Sequence, residues 1–286
     1  MYIDLHVHTT ASDGSLSPSQ VVRYAKEKGL KAIAVTDHDT IDGTEEALKE
    51  GKAAGIEVIP GVEISVDHSP GSMDMLGYFI NIKDATLKEK LSLLQSSRAD
   101  RNPKIIEKLN ELGLAITYNE VVEVSGGGQV GRPHIAQVLK QKGYIQNIQE
   151  AFDKYLGSGC PAYSEKFRLT PENAIAMIVN AGGIPVLAHP FTLKGMSLDE
   201  LETLLKKLAA QGLQGLEVYS ANHNQRQISQ YLSLAEKCNL VITGGSDFHG
   251  KNTDGTDLGT GKGNMKIPYS LLESLKNLRK EKHKRE

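Results

Sequence analysis

Short apolar runs alternate with amphipathic stretches along this chain, and the punctuation between them is regular. Ile3 to Val7 reads as a strand, after which Ser17-Pro18-Ser19-Gln20 offers an N-cap, a proline at the first helical position and a glutamine at the third. A helix is therefore expected from Pro18, with Val21, Val22 and Ala25 on its apolar face and Gly29 ending it. Lys31 to Thr36 resumes as a buried strand, a helix follows over about Thr44 to Ala54, Gly55 stops it, and Glu57 to Pro60 forms the next strand.

The cycle returns near the other end. Thr170-Pro171 starts a helix, Gly182-Gly183 stops it, and Ile184 to Ala188 is apolar. Ser197 and Glu200 fit a capping box for a helix closed by Gly212 before a strand over Leu216 to Tyr219, and a helix over Gln225 to Lys237 leads into a strand over Leu240 to Thr243. This is an α/β pattern, and it predicts a parallel sheet covered on both faces. The rhythm alone fits an open doubly wound sheet or a closed barrel.

The middle breaks the rhythm. Lys104 to Leu112 and His134 to Lys142 look helical, separated by Glu120 to Gln129 with its Gly126-Gly127-Gly128 run. Residues 96–163 are read as a mainly helical insertion covering the site, set into a barrel made of residues 1–95 and 164–286.

Bulk properties narrow the class. A chain of 286 residues can bury a large core, and a net charge of −2 gives no overall cationic surface for duplex binding. Two distant cysteines, Cys160 and Cys238, make no disulfide framework, and no stretch is long and apolar enough to span a bilayer, so a soluble cytoplasmic protein is expected. The basic tail from Lys276 to Glu286 reads as a solvated helix end rather than a contact for an acidic partner.

The chemistry sits at the strand exits. His6 and His8 are two apart, so an extended strand aims both imidazoles to one side, with Asp13 nearby as a ligand and Asp4 as a supporting carboxylate. Asp37-His38-Asp39 follows the second strand; His38 is the metal candidate there, while its neighbours can simply cap a turn. Glu63 follows Ile59-Pro60-Gly61 at the end of the third strand and can bridge two cations. Further on, His68 or Asp74 can reach a cation, His189 follows the strand ending at Ala188, and Asp247-Phe248-His249 follows the last strand. A lone buried histidine is commonly structural, but acids and histidines repeated at strand exits are not explained that way, and their distribution favours a closed barrel. Nitrogen and oxygen donors together suit Mn, Zn or Fe.

These residues carry a resemblance. Asp4-Leu5-His6-Val7-His8 with Asp13, Thr36-Asp37-His38-Asp39, Gly61-Val62-Glu63-Ile64-Ser65, Ala188-His189-Pro190 and Gly245-Ser246-Asp247-Phe248-His249 resemble the motifs of the PHP superfamily of polymerase-associated and histidinol-phosphatase domains. The resemblance implies a distorted (β/α)7 barrel of TIM-like form and a metal-dependent hydrolase. It assigns His6, His8, Asp13, His38, Glu63, His189, Asp247 and His249 to a centre of two or three divalent ions, with Mn first, and makes three ions the stronger expectation. His6, His8 and Asp247 are expected around one ion, Asp13, His38 and His249 around another, and His189 with Asp74 at the remainder.

Leu76-Gly77-Tyr78 and Gly131-Arg132-Pro133-His134 look like the branch of nucleotide phosphatases and short-oligonucleotide 5'-3' exonucleases. In that branch the position of Asp74 is usually histidine, so Asp74 stands as an altered ninth ligand. The resemblance implies attack by metal-bound water or hydroxide, with Glu63, His38 and Asp247 serving the reaction and Arg132 and His134 at the substrate phosphate. The expected substrate is a nucleotide phosphomonoester, either a nucleoside 3',5'-bisphosphate or a short 5'-phosphorylated single-stranded RNA. Histidinol phosphate is the runner-up, and a non-enzymatic metal-binding module is the alternative from a different class.

Overall fold

Most of the expected elements form where the caps put them. The computed structural model describes residues 1–253, 255–282 and 284. Strand β1 (Tyr2–Val7) leads to helix α1 (Pro18–Glu27), whose Ser17 and Gln20 close a reciprocal capping box. β2 (Ala32–Val35), α2 (Thr44–Ala54) and β3 (Glu57–Val66) follow, with Gly55 ending α2 in the left-handed region at φ 69°. After β4 (Met73–Tyr78) come α3 (Ala85–Glu111), α4 (Tyr118–Ser125), α5 (Arg132–Gln141), α6 (Ile148–Ala151) and a π turn at Phe152–Leu156. The alternation then resumes with α7 (Pro171–Asn180), β5 (Ile184–Leu187), α8 (Leu198–Ala210), β6 (Gly215–Ser220), α9 (Gln225–Lys237), β7 (Val241–Gly245), β8 (Ile267–Pro268) and α10 (Ser270–Lys282).

The strands make one sheet in the order β7-β6-β5-β4-β3-β2-β1-β8. It curls until the exits of β1 and β7 meet: His8 N–H donates to Phe248 O at 2.9 Å and Asp247 N–H to His6 O at 3.0 Å. The result is a near-closed, distorted TIM-like barrel with helices around it. Val21, Val22 and Ala25 of α1 pack with Ile33, Val35 and Ala47, while Leu272 and Leu275 of α10 pack with Ile3, Leu5, Tyr78 and Ile184. No helix among the described residues is long and apolar enough to cross a membrane.

Three expectations need correction. The sheet is not all parallel: β4 runs antiparallel to both β3 and β5, and β8 runs antiparallel to β1. The six residues between β3 and β4 are too few for a crossover, so the chain returns as a hairpin. Nor does the third strand stop at Pro60. β3 pairs in parallel with β2 from Glu57 to Pro60, then antiparallel with β4 from Gly61 to Val66, so Glu63 lies within a strand opposite Leu76. Finally, Glu120 to Ser125 is helical within α4, capped by Thr117 and Glu120 in a reciprocal box that the reading passed over.

The stretch over residues 96–163 is mainly helical and has its own apolar cluster, including Ile105, Leu109, Ile135, Leu139 and Leu156. Residue 96 falls inside α3 rather than at an element's edge. Of the basic tail, Lys276 is paired with Glu57 at 2.6 Å, and His283, Arg285 and Glu286 lie outside the described residues.

One close approach sets the mouth of the barrel. A Cβ on Gly245 would lie 2.2 Å from His6 Cβ and 2.3 Å from His6 N. Gly245→Ala is expected to cost about 1–3 kcal/mol by forcing β7 away from β1. Thermal unfolding of the metal-free protein checks this, and an unchanged midpoint would show that the strands can part without loss.

Candidate metal centre

Three backbone segments converge on one carboxylate, Glu63. The chain beyond β2 keeps pairing with β3, as Asp39 N–H donates to Glu63 O at 2.8 Å and Glu63 N–H to Asp37 O at 3.2 Å, which carries His38 to the Glu63 side chain. Glu63 Oε2 lies 3.2 Å from His6 Nε2, 3.2 Å from His8 Nε2 and 3.1 Å from His38 Nδ1. Its other oxygen lies 2.9 Å from His189 Nε2. Asp247 Oδ1 approaches His6 Nε2 at 3.4 Å and His8 Nε2 at 3.3 Å, and Asp13 Oδ1 approaches His249 Nε2 at 3.3 Å.

These side chains fall into three overlapping groups that can each hold an ion: His8, Asp13, His38 and His249; His6, His8, Glu63 and Asp247; and His38, Glu63 and Asp74. The donor set fits a cation on a structural observation as well. His6 Nε2, both ring nitrogens of His8, His38 Nδ1 and Glu63 Oε2 are buried and make no hydrogen bond, although partners stand at contact distance. Donor atoms that crowd together without hydrogen-bond alignment have the arrangement of ligands around a shared centre. The nine residues named from the sequence are thus brought to one place: Asp74 joins the third group, and His189 adjoins it through Glu63. His68, the alternative to Asp74, joins none of these groups.

The charges explain the protonation. Burial disfavours a charged His8, yet Asp247 and Glu63 outweigh it and lift its pKa to about 10. His189 behaves alike, burial being overcome chiefly by Glu63, and rises to about 9. Without cations, protons hold this centre together.

Around it, carboxylates serve the backbone. Asp37 accepts from Thr9 N–H at 2.7 Å, Thr9 Oγ1–H at 2.7 Å and Ser12 Oγ–H at 2.6 Å, which fixes the loop between His8 and Asp13. Asp4 accepts from Ser246 N–H at 2.8 Å and Gly259 N–H at 2.7 Å, the supporting role expected of it, and so holds the loop ahead of Asp247. Asp39, in the left-handed region at φ 53°, accepts from Ser65 N–H at 3.2 Å. Glu217, which the sequence reading missed, accepts from His189 N–H at 2.7 Å and lies 3.0 Å from His6 Nδ1. Its signal was an acid inside the apolar strand Leu216-Glu217-Val218.

A cationic cluster adjoins the centre, and of its members only Arg132 was named from the sequence. Arg98 and Lys166 both bind Asp39, at 2.5 and 2.6 Å. Arg101 is buried beside Arg98, Arg132 and Arg168, and burial with that repulsion lowers its pKa to about 8; burial and Arg98 bring Lys166 to about 7. Arg98 and Arg101 continue the buried stripe Leu87, Leu91, Leu94 and Ile105 of α3, where a helix normally places apolar residues, and that substitution was the readable signal. Arg132 donates to Leu156 O at 2.9 Å and lies over the Phe152 and Tyr163 rings, while His134 Nδ1 accepts from Gly131 N–H at 3.0 Å. A Cβ on Gly131 would be 3.7 Å from both Arg98 Nη1 and Asp13 Oδ2, so the start of α5 touches cluster and centre alike.

A barrel whose strand exits gather imidazoles and carboxylates around a shared cation position, beside a buried arginine cluster, defines a metal-dependent phosphoesterase. Known proteins agree. Residues 4–158 match the PHP domain, and the chain belongs to that family. It is 36% identical to a 5'-3' exoribonuclease of Haemophilus influenzae over 89% of this chain and 95% of that one, and 31% identical to a 3',5'-nucleoside bisphosphate phosphatase of Chromobacterium violaceum over 90% of each. Among solved structures, an amidohydrolase from Chromobacterium violaceum with bound sulfate aligns over 96% of both chains with a TM-score of 0.86 and 29% identity.

The raised histidine pKa values set the sign of a pH effect. Near neutral pH the metal-free His8 and His189 carry protons that an incoming cation must displace, so loading with Mn²⁺ is expected to release protons and to tighten as pH rises from about 6 to about 8. Calorimetry in buffers of different ionisation enthalpy measures both. Equal affinity across that range with no proton release would contradict the assignment.

Proposed function

We propose that the chain hydrolyses phosphomonoesters of nucleotides carrying a second phosphate, a nucleoside 3',5'-bisphosphate or the 5'-phosphorylated end of a short single-stranded RNA. The observation that carries this reading is the cluster of Arg98, Arg101, Arg132, Lys166 and Arg168, whose one direct carboxylate partner among the described residues is Asp39. Buried cations in such excess are costly unless an anion joins them, and guanidinium forks match phosphate oxygens. Histidinol phosphate brings an ammonium group instead, and the cluster would repel it. The exoribonuclease and the bisphosphate phosphatase among the relatives favour the same substrate class.

His6, His8, Asp13, His38, Glu63, Asp74, His189, Asp247 and His249 would hold two or three divalent cations, and their mixed nitrogen and oxygen donors suit Mn²⁺. When bound, such ions supply the Lewis acidity that activates water and neutralises phosphoryl oxygens. The protein's own share is placement. Glu63 and His38 keep the cation positions adjacent, Arg98 and Arg132 orient the non-reacting phosphate, and the start of α5 with His134 closes that side against water. The helical stretch over residues 96–163 supplies Arg98, Arg101 and Arg132, so it belongs to substrate recognition. Two free cysteines suit an enzyme of the reducing cytoplasm.

Steady-state comparison of a nucleoside 3',5'-bisphosphate, a short 5'-phosphorylated RNA and histidinol phosphate with Mn-loaded protein tests the reading. The first two are expected to be preferred, with Arg132→Ala raising KM more than it lowers kcat, and a preference for histidinol phosphate would overturn the proposal. His38→Ala and Glu63→Ala are expected to lose at least about tenfold in turnover with every substrate. Folded variants that keep wild-type metal content and activity would remove both residues from the centre.

A further inference from the structure

Glu217 is fully buried on β6, and its two oxygens go to different strands. Oε1 lies 3.0 Å from His6 Nδ1, at the end of β1. Oε2 accepts the backbone N–H of His189, just beyond β5, at 2.7 Å. A carboxylate oxygen only accepts, so the proton of the His6 ring sits on Nδ1. Nε2 then faces Glu63 and Asp247, buried without a hydrogen bond, and is the nitrogen whose lone pair becomes free for a cation once the proton shared with those carboxylates is displaced. His189 adopts φ 21° and ψ 68°, outside the ordinary backbone regions, and the second oxygen of Glu217 holds the N–H of that turn while the ring reaches Glu63 at 2.9 Å.

We propose that Glu217 is a positioning residue of the metal centre: it selects the ring tautomer of His6 that can ligate through Nε2 and pins the turn that aims His189. The inference rests on reading these histidines as part of a cation site. It adds a dependence that the substrate preference does not require, because one carboxylate sets two histidines by two routes, a tautomer and a backbone. Carboxylates that hold the far nitrogen of a ligating imidazole typically govern metal affinity by 10–100-fold.

Glu217→Gln separates this role from bulk support, since it keeps size while leaving a single acceptor oxygen. If that oxygen stays with His189 N–H, the amide nitrogen faces His6 Nδ1 and drives the ring proton to Nε2. If it stays with His6, the His189 turn loses its acceptor. The expected result is an unchanged thermal midpoint for the metal-free variant, together with the loss of one bound Mn²⁺ or a weakening of about 10–100-fold at one ion, read by elemental analysis and metal titration. Nitrogen NMR of the protein loaded with diamagnetic Zn²⁺ should show the His6 proton on Nδ1 in the wild type. A Glu217→Gln protein with wild-type stoichiometry and affinity would overturn the proposal, as would one whose metal-free form is destabilised while its metal affinity is unchanged. Glu217→Ala, which removes both acceptors, should lose at least as much metal. All these readouts are independent of substrate, so a failed nucleotide preference leaves the inference standing, whereas wild-type protein that binds no divalent cation would overturn both.

Discussion

Everything at the mouth of this barrel depends on the burial of Glu63. A carboxylate with no solvent contact is unfavourable unless opposite charges or donors are brought to it, and four imidazoles from three different backbone segments do so. Barrel closure is what makes that meeting possible, because His6 and His8 come from one side of the seam and Asp247 from the other. The change of partner along β3, from β2 at Pro60 to β4 at Gly61, puts Glu63 within a strand rather than on a loose turn. A rigid strand therefore carries the group that most needs fixed geometry.

The surrounding acids divide the work by what they accept. Asp37 and Asp4 take backbone N–H groups and hydroxyls, and so tie down the loops bearing Asp13 and Asp247. Asp39 faces the other way, toward Arg98 and Lys166, and stands between the imidazole-rich centre and the cationic cluster. Two regions of opposite charge are thus kept a few side chains apart, with Asp39 between them.

Much of this was legible in the sequence because strand exits and helix caps are local signals. Ser17 with Gln20, Ser197 with Glu200, and the stops at Gly55 and Gly212 all act within a few residues, and they placed α1, α2, α8 and the strands after them. The ligand candidates were legible for the same reason, each following an apolar run. What escaped was set by pairing over long separations. The antiparallel turn of β4 and the extension of β3 depend on partners chosen in space, and Arg98, Arg101 and Lys166 show their role only once residues 98 and 166 meet at Asp39. Glu217 was hidden likewise, its partner His6 lying 211 positions away.

Helix α3 runs on for 27 residues, about 40 Å, with Pro103 inside it. Its first turns, Leu87, Leu91 and Leu94, pack with barrel residues such as Ile64 and Met73, and its last turns, Ile105 and Leu109, pack with Ile135 and Leu139. Arg98 and Arg101 sit between those two grips, as at the fulcrum of a beam clamped at both ends. Tilting either end would swing the guanidinium groups relative to Asp39, so sequence drift in the helical stretch, far from the imidazoles and carboxylates of the centre, can shift the charge beside it while the centre itself stays untouched.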